Sequence, residues 1–292
     1  MKKRISSLKK KFKKYGIDGY VIPKNNDYFT EYSKINRLKI ISNFSGSAGL
    51  AVILKNKNYL FTDGRYTIQS EIESGKNFQI FSYEKIINCK LFNNLKLGLD
   101  PKLFTYKQIK KYFLSQNQVK FISNNLIDEI KIDKISNDAP FFSLKDEIVG
   151  ENKRSKINKI VNYLKKKRAD NLFITAPENV AWILNIRGND APNSPIPNCR
   201  LIINKSKKIF LITEPKKAKI LIKKKIINKN QLININDLQK KFLLINGKNF
   251  IIDNKSCSVF YENIIKSKFD IISREDPTYL LKAIKNKTEI KN

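Results

Sequence analysis

The chain has 292 residues, 41% of them hydrophobic, enough for two ordinary domains that each bury a core. It has no histidine, which excludes a His ligand, a His general base and any Ser-His or Cys-His dyad from this chain. Its 58 Lys and Arg against 26 Asp and Glu give a formal charge of +32. The excess is Lys, accompanied by abundant Ile and Asn, which describes solvated basic faces rather than the Arg forks and aromatic platforms of a specific nucleic-acid reader.

The segment Met1-Lys2-Lys3-Arg4-Ile5-Ser6-Ser7-Leu8-Lys9-Lys10 is basic with no apolar core after it, so it does not read as a signal peptide. Ile5, Leu8, Phe12 and Tyr15 recur at helical spacing, and Gly16 closes that helix before a strand at Gly19-Tyr20-Val21-Ile22. Phe44-Ser45-Gly46-Ser47-Ala48-Gly49 is a turn of small residues that feeds a hairpin, Leu50 to Leu54 and Tyr59 to Thr62. Gly46 and Gly49 permit backbone or packing that larger residues resist. The run lacks the Lys-Ser/Thr ending of a phosphate-binding loop and leads into a strand, so it is not read as a phosphate cradle. Asp63-Gly64-Arg65-Tyr66 then forms a strand-to-helix corner in which Arg65 is placed to pair with Asp63.

Tyr106 to Leu114 reads as a helix, and Pro140-Phe141-Phe142 as the exit from a first domain that ends near Gly150. A second helix-strand unit follows, with Ile157, Ile160, Val161 and Leu164 as its stripe and Asn171 to Thr175 as its strand. Aligning Asp18 with Asp170 also brings the first hairpin onto Leu201 to Thr213, so the chain reads as two copies of one α/β unit, each a mixed sheet flanked by helices. The expected domains are 1–149 and 150–274. Asp276 before Pro277 starts a helix carrying Leu280, Leu281 and Ile284, and Thr288-Glu289 opens another. No stretch approaches the ~20 apolar residues of a membrane span. Cys89, Cys199 and Cys257 are isolated, an odd set that reads as free thiols in a reducing compartment, and the cytoplasm is the expected location.

The residues Glu31-Tyr32, Arg37, Phe44 to Gly49, Thr62 to Tyr66, Gly98-Leu99-Asp100-Pro101 and Asn125 to Asp128 occur in that order. Gly150-Glu151, Lys156-Ile157, Ala181-Trp182-Ile183-Leu184-Asn185-Ile186-Arg187-Gly188, Asp190 and Asn193-Ser194-Pro195 follow. Together they resemble the first two domains of the Xaa-Pro aminopeptidases, the aminopeptidase P branch of the creatinase and prolidase superfamily. Ser194 intervenes where that family usually runs Asn-Pro directly. The resemblance implies two creatinase N-terminal folds followed by a pita-bread catalytic domain, in which two Asp, one His and two Glu hold a pair of divalent metals, typically manganese. Residues 275–292 look like a truncated lead-in to that domain, so no catalytic or metal-ligating residue is expected here.

The function expected on this basis is the non-catalytic, cleft-shaping part of an enzyme that releases an N-terminal residue preceding proline. A stand-alone module that docks on a separately encoded catalytic chain is the alternative, and binding of a nucleic acid is a weaker third. The expected partners are the catalytic domain and peptides with proline at the second position, with no membrane and no specific nucleic acid. Arg187, Asp190 and Asn193, on a loop punctuated by Pro192, Pro195 and Pro197, are the candidate domain-interface or cleft-rim residues. Gly46, Gly49, Asp63, Arg65 and Trp182 are read as structural, Trp182 as an aromatic fixing its helix on the sheet.

Overall fold

The structure is a computed structural model and describes residues 1–30, 35–87, 89–130 and 139–291. Glu31 and Tyr32 lie outside the described residues. The chain divides into two compact units, Met1–Ile135 and Ser136–Asn292.

In the first unit the helix α1 (Lys2–Tyr15) buries Ile5, Leu8 and Phe12 and stops at Gly16, whose φ of 56° is the left-handed conformation that glycine adopts without strain. The strand β1 (Gly19–Pro23) follows and is buried at every position, as a central strand covered on both faces must be. The helix α2 (Arg37–Ser42) leads to β2 (Gly49–Leu54) and β3 (Asn58–Thr62), the expected hairpin. Next come α3 (Thr67–Ser74), β4 (Gln79–Ser82), β5 (Lys96–Leu99), α4 (Tyr106–Tyr112) and β6 (Gln118–Phe121). The sheet order is β4-β3-β2-β1-β5-β6, with β1 antiparallel to β2 and parallel to β5.

The second unit opens with β7 (Phe142–Ser143), α5 (Asp146–Val149), α6 (Lys153–Lys166), β8 (Asn171–Ile174), α7 (Pro177–Leu184) and β9 (Ile186–Arg187). It continues with β10 (Arg200–Asn204), β11 (Ile209–Ile212), α8 (Pro215–Lys223), β12 (Leu232–Ile233), α9 (Leu238–Leu243), β13 (Asn249–Ile252), α10 (Val259–Lys266) and β14 (Asp270–Ser273). Two short helices, α11 (Thr278–Ala283) and α12 (Lys287–Lys291), complete it. Its main sheet runs β12-β11-β10-β8-β13-β14, and β8 is antiparallel to β10 and parallel to β13. Strand for strand this is the order and sense of the first sheet, so the repeat read from Asp18 and Asp170 extends to topology. The fold class is α/β, two mixed sheets flanked by helices.

The units divide earlier than the expected boundary at Gly150, and the reason is local. Phe141 is fully buried in the second unit's core beside Ile160, Ile183 and Leu201, and its N–H donates to Lys217 O (2.8 Å). The strand β7 pairs antiparallel with β9, Phe142 opposite Arg187. Pro140-Phe141-Phe142 therefore begins the second unit instead of ending the first.

The described part of residues 275–292, expected to be a separate lead-in, packs on the second unit too. Asn286 Nδ2 donates to Val149 O (2.9 Å), and Asn286 and Glu289 cap each other across the start of α12 (2.9 and 3.0 Å). A Cβ at Gly150, whose φ is 69°, would fall 2.4 Å from Asn286 Oδ1, so the contact needs glycine. Leu281 packs on the core, while Leu280 and Ile284 remain 70% and 68% exposed.

Candidate functional site

The corner in the first unit is built by packing. A Cβ at Gly46 would stand 2.2 Å from Cζ of the buried Phe44, and one at Gly49 would meet Leu38 at 3.0 Å and Phe44 at 3.1 Å. Phe44 meets Tyr66 edge to face at 5.8 Å, and the Tyr66 and Ser47 hydroxyls are hydrogen-bonded (2.8 Å). Asp63 accepts from Arg65 N and Arg65 Nε, both at 2.9 Å. These bonds hold the Asp63 carboxyl below its ordinary pKa. Glu73 accepts from Ser45 N and Ser45 Oγ, both at 2.7 Å. Every backbone-facing polar group here serves the turn.

Arg37 forms a bidentate pair with Asp128 (2.7 and 2.8 Å), tying α2 to the segment after β6. Asp128 and Glu129, which as sequence neighbours suggest solvated or capping acids, are thus long-range partners: Glu129 takes Lys11 (2.5 Å) and Tyr15 (3.1 Å). Asp100 is buried, accepts from Lys102 N (2.9 Å) and Asn125 Nδ2 (3.0 Å), and burial pushes its pKa up.

The second unit holds two lysines, Lys156 and Lys217, inside. Helix α7 starts at Pro177, whose missing N–H costs nothing at a first turn, and ends at Asn185, held left-handed at φ 54°. Lys156, on α6, is 1% exposed and donates to Trp182 O (2.9 Å) and Asn185 Oδ1 (2.7 Å), neutralising the carbonyl end of α7. Its Nζ lies 4.1 Å from the centre of the Trp182 ring. Burial brings its pKa down to about 8, although Glu151 and Glu289 pull the other way. Trp182 Nε1 donates to Glu289 Oε1 (3.1 Å). The ring is partly buried against the second unit's core and also joins α6 and α12 to α7.

The loop after β9 turns at Gly188, where a Cβ would sit 2.8 Å from both Phe141 Cδ1 and Pro197 Cα. Gly188 N donates to Pro195 O (3.1 Å) and Asp190 N to Ile196 O (3.3 Å), which closes residues 188–196 into a compact tongue. Asp190 is 6% exposed, accepts from Asn198 N (2.6 Å) and pairs with Lys217 Nζ. Arg187 is half-buried and donates to Ile186 O (2.9 Å) and Ala181 O (3.4 Å). Burial lowers its pKa. Asn193 is exposed at the tip. Of the three candidate residues, then, Asp190 points into its own unit and Asn193 outward, with Arg187 between them at the surface boundary.

Sequence reasoning did not find Lys217 as the partner of Asp190, because nothing separates it from its neighbours in Pro215-Lys216-Lys217-Ala218-Lys219. Asp276 is read from sequence only as a helix start. It accepts from Thr278 N (2.9 Å) in that role, and also from the buried Asn179 (2.8 Å), whose Oδ1 receives Lys282 Nζ (2.8 Å). Burial raises the Asp276 pKa.

Among the described residues no group of three or more Cys, Asp or Glu is placed to hold a metal ion, so the residues here do not fit a metal pair. No described helix is long and apolar enough to cross a membrane.

Two sheets of one strand order, each flanked by helices, define a tandem of α/β domains. Residues 4–130 and 133–289 each match the Creatinase/Prolidase N-terminal domain. The chain belongs to the creatinase/prolidase N-terminal domain family and carries two such domains in tandem. It is 30% identical over 320 aligned residues to Xaa-Pro aminopeptidase 1 of Dictyostelium discoideum, covering 99% of this chain and 49% of that protein. It is 28% identical to Xaa-Pro aminopeptidase ApepP of Drosophila melanogaster, covering 94% and 48%. The crystal structure of X-prolyl aminopeptidase from Caenorhabditis elegans, described as a cytosolic enzyme with a di-nuclear active site, shares the fold: TM-score 0.83, 21% identity, 99% of this chain and 52% of that one. The chain spans about half the length of the curated relatives it matches.

Proposed function

We propose that this chain provides the two non-catalytic N-terminal domains of an Xaa-Pro aminopeptidase that works in the cytoplasm, where they shape and restrict a cleft for peptides with proline at the second position. The observation that carries this reading is similarity along 99% of the chain to a relative named Xaa-Pro aminopeptidase 1. The hydrolytic chemistry belongs to a partner catalytic domain with a divalent metal pair, manganese as the family resemblance implies. The tongue 188–196, tied down by Asp190 and Lys217, presents Asn193 toward that domain, and the end of β9 presents Arg187.

A second reading is a module that docks on a separately encoded catalytic chain. The exposed Leu280 and Ile284 beside the docked α12 favour it. One assay tests both. The purified chain is expected to release nothing from Xaa-Pro peptides with added manganese, and adding a catalytic domain from a relative should yield a complex on size-exclusion chromatography. Chelator-sensitive turnover by the chain alone would overturn the non-catalytic assignment.

A further inference from the structure

Asn246-Gly247 is the single Asn-Gly pair of the sequence, and both residues are exposed in the connection from α9 to β13. The backbone nitrogen after an asparagine can attack the side-chain amide, and a following glycine gives that nitrogen no steric shield. A fold suppresses the attack where it pins either group. Here it pins neither: among the described residues the Asn246 side-chain amide and the Gly247 N–H have no hydrogen-bond partner.

Neighbouring positions show the contrast. Asn249 Oδ1 accepts from Asp170 N (2.8 Å), and Asn204 Oδ1 accepts from Ser206 N. The two Asp-Gly pairs, open to the same attack more slowly, are held as well. Asp18 accepts from Lys96 N (3.0 Å) and Lys55 Nζ (2.8 Å), and Asp63 from Arg65 N (2.9 Å).

The packing also keeps the labile pair in place. Gly247 has a φ of 121°, and a Cβ there would fall 2.7 Å from both Asn171 Nδ2 and Asp170 Cβ. A bulkier successor, which would slow the attack, is thus disfavoured by the packing that joins the start of β13 to the start of β8. Asn171 is fully buried and its Nδ2 donates to Asn246 O (3.0 Å), so the reactive residue is part of that seam. Lys205, Lys208 and Lys248 line the adjoining cleft of about 500 Å3 and favour negative charge on it.

We propose that Asn246 is a site of spontaneous deamidation that alters the seam between β8 and β13. Gly247 N bonds to Asn246 Cγ as the Cγ–Nδ2 bond breaks, and the amide nitrogen leaves as ammonia carrying the proton of Gly247 N. The cyclic imide so formed is opened by water, at Cγ to give aspartate or at the main-chain carbonyl to give isoaspartate. Both products carry a new carboxylate. Isoaspartate also adds a methylene to the backbone and takes the oxygen that Asn171 engages off the chain path. The proposal stands apart from the peptidase reading.

The test is incubation of the full chain at neutral and at mildly alkaline pH, followed by peptide mapping with mass spectrometry that separates aspartate from isoaspartate. The peptide holding Asn246 should convert first, faster at the higher pH, and at a rate of the same order as in the guanidinium-unfolded chain. Asn193, exposed and followed by Ser194, should lag, and Asn249 should stay intact. Asn246→Gln, which needs a larger and slower ring, should abolish conversion of this peptide without changing thermal unfolding. Aged chain enriched in isoaspartate by ion exchange should unfold at a lower temperature than fresh chain, as for loss of the Asn171 bond. Conversion in guanidinium but not in the native chain would mean that the fold shields the pair and would overturn the site, as would earlier conversion at Asn193. Equal unfolding temperatures of aged and fresh chain would overturn the link to the seam.

Discussion

The two units share a strand order and differ in where they keep their charges. In the first, Lys11 with Glu129, Lys55 with Asp18 and Arg65 with Asp63 pair at the surface, and Arg37, 11% exposed, pairs with the more open Asp128. The second also has surface pairs, such as Lys159 with Glu151 and Lys255 with Glu275, and adds buried ones: Lys156 is enclosed by Trp182 and Asn185, and Lys217 and Asp190 meet with side chains 9% and 2% exposed. Topology therefore follows from the continuous apolar runs of the central strands, which both copies have. The buried polar groups do something else, fastening segments that the sheet does not hold: the tongue 188–196 and the helix α12. A buried pair contributes little net stability over an apolar pair but penalises every arrangement that separates it, which suits a surface needing one defined shape.

The largest effect should come from breaking that buried pair. Asp190→Ala leaves the Lys217 ammonium uncompensated and is expected to cost about 3–5 kcal/mol in urea unfolding. Asp190→Leu with Lys217→Met should recover most of the loss. If Asp190→Ala shifts the midpoint no more than a surface substitution, the contrast between the units collapses.

Next is the glycine corner of the first unit. Gly46→Ala drives a Cβ into the Phe44 ring and should cost about 1–3 kcal/mol. Gly64→Ala, where a Cβ meets nothing within 4 Å, should be neutral or stabilising by at most about 1 kcal/mol. Similar values at both sites would mean that backbone freedom, not packing, explains the corner.

A smaller effect lies in the pH profile. Because burial lowers the Lys156 pKa to about 8, the unfolded chain holds more protons at this position between about 8 and its ordinary 10.5. Its contribution to stability therefore rises with pH across that window and is flat below it. Glu151, Glu289, Arg187 and Lys159 face the same amine, so the comparison is with Lys156→Met, which should flatten the rise measured by thermal unfolding. An unchanged slope in the mutant would assign the rise to other lysines. The smallest effect belongs to the surface: Lys11→Gln should cost less than about 1 kcal/mol despite its 2.5 Å contact with Glu129.

Much of the fold was legible because its signals are local. Ile5, Leu8 and Phe12 declare α1, Gly16 ends it, and the apolar runs Leu50 to Leu54 and Tyr59 to Phe61 flank the Lys55-Asn56-Lys57-Asn58 turn of the hairpin. The repeat was visible for the same reason. The unit boundary was not, since Pro140-Phe141-Phe142 looks the same as the end of one domain or the start of the next, and only the pairing of Phe142 with Arg187 decides it. The candidate site was legible in residue type but not in direction. Asp190 and Asn193 sit three apart on one loop, yet one faces Lys217 and the other faces outward, a difference set by a lysine distant in sequence. Trp182 was legible as an anchor, but its partner Glu289 lies in a segment that the sequence assigned elsewhere.

The two units are self-contained copies of one architecture, the second beginning before Phe141. The most direct test is to produce residues 139–291 and 150–291 separately and follow thermal unfolding by Trp182 fluorescence. The longer piece should unfold cooperatively. The shorter one, deprived of Phe141 and β7, should lose about 3–5 kcal/mol or fail to fold, as for removal of a buried aromatic. Equal stability of the two pieces would contradict the boundary and with it the description of the second unit.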